Sequence, residues 1–451
     1  MNIRIGYWKP DPKKPSDPLK PLQYPTGEAH GLLCSPTRGG KFRDIIAQIL
    51  LSFEGSCFVI DPKGQAAAVT ARYRRDVLKQ EVHVLNPFKI LPDYIGKIHH
   101  ATYDPVQSKL DPKSDNFAAD ADTLMEGLMP YGQTQDYHWI DSARQLGSGI
   151  AMYLREVQAF TRSEEKVFSL PHVYAEIADV HLHNFCEDAL ASQASEFTKY
   201  RLSRFSEPAG DNREVRSIIS SAITKLTFVA NKAIANNMTG STIDFDQMKH
   251  HPMTVYVILP GRYIAPYATW MRTITNAWAD ACLQEGRGSV PVLGILDEFR
   301  TAVGNLNAIN TLNALGAGYG CQLLTVIQDL NQLKELYPRS WETHLAGSGF
   351  QIFFGPRDWT TSDYISSMMG MEERKKFSQS FGERVDVSET SLEQKSLLPE
   401  QIRNMASDQM LVFPMGMTAL RRPYYEDPEF NGSKGQKRYD DDPYHPGPTP
   451  K

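Results

Sequence analysis

Residues 30–44 read HGLLCSPTRGGKFRD, an apolar run that breaks into a glycine-bearing loop and closes on a lysine. A loop that cradles phosphate needs glycines, because the backbone must curl until successive N–H groups face the phosphate oxygens. It also needs a lysine to neutralise the β and γ charges. Gly39, Gly40 and Lys41 meet both needs. The full pattern G-x-x-x-x-G-K-[ST] is altered at its two ends: Ser35 stands at the first glycine, and Phe42 stands where a hydroxyl would reach magnesium. Ser35, Pro36, Thr37, Arg38, Gly39, Gly40, Lys41 and Phe42 are therefore the candidates for holding a nucleotide. A plainer reading, a glycine turn joining a strand to a helix, stays open at this point.

Other segments place chemistry at the ends of apolar runs. VPVLGILDEF delivers two adjacent acids, Asp297 and Glu298, at the edge where open parallel sheets bind ligands. Charges closing such a run are costly unless paired or metal-bound. Asp297 then suits magnesium, and Glu298 suits activation of a water for attack on a γ-phosphate. In LLTVIQDLNQL, Gln328 ends another buried run and can sense that phosphate or orient the water. FVIDPKGQ puts Asp61, Lys63 and Gly64 at the same kind of edge, where a proline-glycine turn is the simpler account. The pairs His99 with His100, His181 with His183, and His250 with His251 lack a cysteine or second histidine at metal spacing and read as solvated surface.

Strands and helices must position these residues, and both are legible. GLLCS, SCFVID, MTVYVILP, VPVLGILDEF, CQLLTVIQD and FQIFFG have the continuous apolar character of strands buried on both faces. Their alternation with helical stretches predicts an α/β fold with a mostly parallel sheet and right-handed crossovers. Helical spacing without strand-like runs marks residues 114–235 as an inserted all-α domain. The remaining sheet domain covers 27–113 and 236–430, after an extended proline- and lysine-rich arm over 1–26. Residues 431–451 are polar and proline-bearing, which suggests a disordered tail.

The bulk numbers narrow the function. A chain of 451 residues exceeds one small module, and a net charge of -5 gives no global basic footprint, so contact with nucleic acid must be local. The five cysteines lie far apart, as buried thiols of a reducing compartment would. With no run of about 18 apolar residues and no apolar signal core, the expected location is cytoplasmic, held at the inner membrane, if at all, through a partner.

In this order the segments resemble the coupling proteins of type IV secretion and bacterial conjugation. The resemblance covers about residues 27–430. It rests on HGLLCSPTRGGK, VIDPKG, TYDPV, the helix DYHWIDSARQLGSGIAMYL, the block LGILDEFRTAVGNLNAINTLNALGAGYGCQLLTVIQDLNQL, and SLLPEQIRNMASDQMLVFPMGMTALRRPYYEDPEF. It implies a three-layer, RecA-like P-loop domain using ATP and Mg2+, with Asp297 on the metal and Glu298 and Gln328 as catalytic groups. It also implies a homo-hexameric ring that handles single-stranded DNA with its relaxase, or secreted protein substrates, beside inner-membrane components of a type IV secretion system. A DNA-pumping ring outside secretion is a weaker fit, because the LLPEQIRNM segment and the helical insertion favour the secretion branch.

Three departures favour an alternative, a catalytically weakened, soluble substrate-receptor or scaffold paralogue. No N-terminal membrane helix is visible, Phe42 is bulky beside the phosphate site, and Ala317 stands where relatives commonly carry an arginine. Arg339, Arg357, Arg421 and Arg422 are the candidates to replace that arginine.

Overall fold

The structure, a computed structural model, describes residues 2–7, 21–25, 29–131, 137–161, 167–210, 212–284, 286–381, 385–413, 420–421 and 438–444. In chain order the elements that carry or support the site are β1 (His30–Cys34), α1 (Ala47–Ser52), β2 (Ser56–Ile60), α2 (Gln65–Asp76) and β3 (Glu81–Leu85). A helical block follows with α3 (Phe117–Leu128), α4 (Tyr137–Thr161), α5 (Leu170–Ala178), α6 (Arg213–Leu226) and α7 (Lys232–Asn237). Then come β4 (Met253–Val257), α8 (Gly261–Leu283), β5 (Val292–Leu296), β6 (Cys321–Ile327), β7 (Ser348–Phe354) and β8 (Gln409–Phe413).

Two compact units form from these elements, Met1–Phe53 with Leu324–Phe430, and Glu54–Leu323 with Asn431–Lys451. In the first, β1 lies between β7 and the end of β6 and runs parallel to both, with Gln351 opposite Leu32 and Gly31 opposite Leu324. β8 pairs antiparallel with β7. Asn2–Tyr7 and Pro21–Pro25 pair antiparallel, and Tyr7 lies opposite Arg421, so those parts of the expected arm are strand-paired. Leu22 is buried, which gives that pairing a reason beyond backbone hydrogen bonds. Met371–Phe381 and Val385–Lys395 form a further antiparallel pair where the sequence suggested no element.

In the second unit all pairings are parallel: β5 with β2, β2 with β4, β4 with β3, and β3 with the short strand His99–His100. Every residue of β2, β4 and β5 is buried, as a strand covered on both faces requires. α8 supplies much of that cover through Trp270, Met271, Ile274 and Trp278. The Trp278 ring stacks on Phe58 of β2 with centroids 4.4 Å apart. Gly294 of β5 leaves room for it, since an added Cβ there would run into the Trp278 ring. Among the described residues of 114–235 there are helices and no strands.

The tail differs from expectation at residues 438–444, which pack on α2 instead of standing free. Asp440 N–H donates to Val69 O at 2.9 Å, Arg72 Nε reaches Asp440 Oδ1 at 2.6 Å, and Gln65 Nε2 donates to Asp442 Oδ2 at 2.7 Å. Two carboxylates thus meet donors on one helix face, an arrangement a reading of composition as disordered does not anticipate. The rest of 431–451 lies outside the described residues.

Candidate functional site

In the first unit the site grows out of β1. All five residues of the strand are buried, and Ser35 N–H extends the ladder by donating to Ile327 O at 2.9 Å. Pro36 then breaks the strand, and Gly39 N–H closes a turn on Pro36 O at 2.8 Å. Arg38 (φ 61°) and Gly40 (φ 90°) both adopt left-handed backbone. Alternation of handedness on successive residues makes a concave nest of N–H groups suited to an anion. Only glycine suits position 40, because at that φ a Cβ would also lie 2.5 Å from Asp44 Oδ2.

Lys41 enters a helix whose first turn, Phe42–Ile46, is π-helical, with Ala47 N–H donating to Phe42 O. A π-turn is a rare, locally widened helix that recurs at functional sites. Phe42 is half-buried there, directed neither fully into the core nor fully into solvent. Asp44 is wholly buried beneath the loop and held by Arg43 Nε at 2.7 Å. Sequence reasoning missed it; the only signal was an acid inside the otherwise apolar helix that follows the loop.

Gln328 comes to the same loop. Its Oε1 accepts a hydrogen bond from Thr37 Oγ1 at 3.0 Å. Its backbone N–H donates to Gln332 Oε1 at 3.1 Å, and Asp329 caps the following helix by accepting from Gln332 N–H at 3.2 Å. Cys34, just before the loop, is free and buried, and burial, with the charges of Asp358 and Asp329, pushes its thiol well up and leaves it inert. The structure therefore gathers Ser35 to Phe42 and Gln328 around one loop.

In the second unit the acids end neighbouring parallel strands. Ile60 of β2 lies opposite Leu296 of β5, so Asp61 and Asp297 follow at equivalent strand ends. Asp61 is buried and its Oδ2 accepts from Ala67 N–H at 2.9 Å at the start of α2. Burial, reinforced by the Asp297 charge, pushes its carboxyl up to about 7, while the N–H groups of Ala67, Ala66 and Gln65 pull the other way. Paired acids whose environment moves one of them so far are a site signal. The sequence had offered Asp61 the plainer account of a turn residue; the signal that could have promoted it was its place at the end of a buried run, like Asp297.

Asp297 and Glu298 are half-buried. Glu298 has left-handed backbone at φ 51°, with its N–H donating to Asp297 Oδ1 at 2.9 Å and its carbonyl accepting from Thr301 and Ala302 N–H. A β-carbon in that region costs about 1–2 kcal/mol, a strain found most often where a side chain must be aimed. Of the replacement arginines, Arg339 and Arg357 are exposed and Arg422 lies outside the described residues. Five of the six paired histidines are exposed, His183 is half-buried, and no metal-holding group of side chains occurs among the described residues.

The sequence matches the family described as type IV secretory system conjugative DNA transfer over residues 7–441. It is 24% identical over 418 residues to protein VirD4 of Rhizobium radiobacter, covering 89% of this chain and 57% of the relative. It is 24% identical over 373 residues to conjugal transfer protein TraG of Escherichia coli, covering 76% of this chain and 55% of the relative. The chain thus spans little more than half the length of the curated relatives it matches. Among solved structures, the unbound form of the bacterial conjugative coupling protein TrwBdeltaN70 superposes with a TM-score of 0.62 at 15% identity, covering 85% of this chain and 81% of the other. Plasmid coupling protein TrwB in complex with ADP and Mg2+ gives 0.61 at 15%, covering 87% and 83%. At such identities the likeness establishes the fold, a RecA-like P-loop core with a helical domain.

Proposed function

The chain belongs to the type IV secretory system conjugative DNA transfer family, and we propose that it is the ATPase that couples transfer substrates to the secretion channel. The observation that carries this reading is the hydrogen bond holding Gln328 against Thr37 of the glycine loop. A strand-end amide fixed at a loop of this composition has little structural work to do there, and it suits sensing of a terminal phosphate.

The residues fit the group. A nest formed by Arg38, Gly39 and Gly40, followed by a lysine at a helix start, suits a polyphosphate, although Gly39 N–H must leave Pro36 O to contribute. The acids at the ends of β2 and β5 suit magnesium, since a carboxyl pushed up chiefly by burial, with a like-charged neighbour adding to it, is relieved by a cation. Bound ATP with Mg2+ would supply a γ-phosphate open to attack by water. Lys41 with the Gly40 N–H would neutralise phosphate charge, Asp297 would hold the metal, Glu298 would take the proton of the attacking water, and Gln328 would orient that water. Residues 114–235 act as an all-α domain, the assembly is a homo-hexamer, and the cargo is single-stranded DNA with its relaxase or secreted proteins. No helix among the described residues is long and apolar enough to cross a membrane. The partners at the membrane are inner-membrane components of the secretion system.

The test is DNA-stimulated ATP turnover of wild type against Glu298→Gln. Loss of a positioned general base should cost about 10²–10⁴ in rate, and equal rates would remove the assignment. Phe42, half-buried at the first turn after Lys41, favours the second reading, a receptor that binds little nucleotide. Titration of a labelled ATP analogue with Mg2+ separates the two: tight binding abolished by Lys41→Ala excludes the nucleotide-free receptor.

A further inference from the structure

A cavity of about 590 Å³ opens where β3 ends, lined by the turn after the strand, the stretch from His100 to Thr102, and α7. Its lining includes Lys89, His100, Lys232, Asn236 and Asn237, and none of its lining residues is acidic. Such a volume lies within the range of small-ligand sites.

The walls are built, not incidental. Asn86 ties the turn by accepting from Ile90 N–H at 3.1 Å and donating to Ile90 O at 2.9 Å. Lys89 is presented from left-handed backbone at φ 50°, in a turn that its own N–H closes by donating to Asn86 O at 3.0 Å. The Phe88 ring stacks on Tyr263 at 4.2 Å, and Tyr267 stands 5.9 Å from Tyr263. Tyr267 OH accepts from Asn231, the residue that caps α7, at 2.9 Å, so one aromatic cluster braces both sides.

Asn237, which lines the cavity, is only 8% exposed. Its Nδ2 donates to Ala101 O at 2.8 Å, while its Oδ1 has no partner among the described residues. A buried acceptor left unpaired carries a desolvation cost, which a ligand N–H would recover. The cavity is therefore lined by two lysines, by the Phe88 ring and by Asn237, which keeps one unpaired acceptor.

We propose that this cavity is a nucleotide subsite, taking a phosphate against Lys89 and Lys232 and the amino or imino edge of a base against Asn237 Oδ1. The nucleotide comes from a passing single strand or from the free pool, which share this chemistry. All its residues lie in the second unit, away from the glycine loop in sequence, and the proposal stands whether or not the ATPase reading does.

The test uses the full chain without ATP. Binding of a short fluorescein-labelled oligo-dC strand is followed by anisotropy between about 50 and 200 mM salt, a span over which phosphate neutralisation reveals itself. Lys89→Ala with Lys232→Ala, both exposed, should weaken binding about tenfold and make the salt slope shallower by about 0.7, the share of the one phosphate left without its lysines. Lys113→Ala, an exposed lysine elsewhere in the unit, should change neither. Displacement of the strand by free CMP in wild type but not in the double variant assigns the subsite to the free pool; loss of strand binding without such displacement assigns it to the strand. Unchanged affinity and slope in the double variant, with no CMP binding, overturn the proposal. Equal wild-type affinity for oligo-dC and an abasic strand overturns the base recognition. Cytosine keeps the readout apart from the ATP site.

Discussion

Thr37 Oγ1 and Gln328 Oε1 are joined by a hydrogen bond of 3.0 Å across 291 residues of sequence. It is exposed, so it contributes at the low end of the roughly 0.5–1.5 kcal/mol of an ordinary hydrogen bond. Its use is orientation: it fixes the side-chain amide of Gln328 at the loop.

Replacing Gln328 by Leu should leave the thermal midpoint within about 2 °C of wild type, since less than 1 kcal/mol is removed. ATP turnover should fall at least tenfold, and Thr37→Val should fall less, because the amide itself remains. Turnover in both variants equal to wild type would dismiss the role of the pair.

Asp61 makes stability depend on pH. Its folded carboxyl is pushed from 3.8 to about 7, chiefly by burial. Below about pH 4 both folded and unfolded forms hold the proton and the contribution is fully present. As pH rises the unfolded chain ionises first, so stability falls until the folded group ionises near 7, by at most on the order of 4 kcal/mol. Asp104, also pushed by burial to about 7, falls in the same window. Asp61→Asn keeps an acceptor for Ala67 N–H and removes the charge. It should flatten the fall, though not abolish it, and exceed wild type in urea midpoint at about pH 8 while approaching it at about pH 5. Parallel pH profiles for the two proteins would rule the argument out.

Much of this was legible because it is local. Buried strands announce themselves as apolar runs, and Asp297, Glu298 and Gln328 stand out as polar residues that end them. Sequence cannot report what depends on where the ends meet. Asp61 looked like part of a turn until β2 and β5 were seen to end together, and Thr37 had no partner until Gln328 arrived. Backbone choices are hidden for another reason: the left-handed φ of Glu298 and the π-turn at Phe42 are imposed against local preference, so no propensity predicts them. The packing of 438–444 on α2 was invisible because its composition is that of a free tail.

Glu298 should show opposed effects on stability and activity. With φ 51°, Glu298→Gly relieves strain that Glu298→Ala retains. The glycine variant should be the more stable of the two by about 1 kcal/mol in urea denaturation, and both should lose turnover alike. An alanine variant as stable as the glycine variant would mean that the strain is absent.

The tail segment offers a test of its own. Tyr444 OH donates to Lys63 O at 2.9 Å, beside Asp61, while Asp440 and Asp442 hold α2. The Arg72–Asp440 pair is more than a third exposed on each side and contributes about 1 kcal/mol at most. Asp442 is 5% exposed, so its hydrogen bond from Gln65 is the stronger anchor. Asp442→Ala should therefore release the segment more fully than Asp440→Ala, read as faster tryptic cleavage after Arg438. When an opened segment recloses faster than it is cut, cleavage rate follows the population of the open form, so a loss of about 1.4 kcal/mol should appear as roughly tenfold faster cleavage. Cleavage at the wild-type rate in Asp442→Ala would mean that the hydrogen bonds to α2 do not hold the segment in solution.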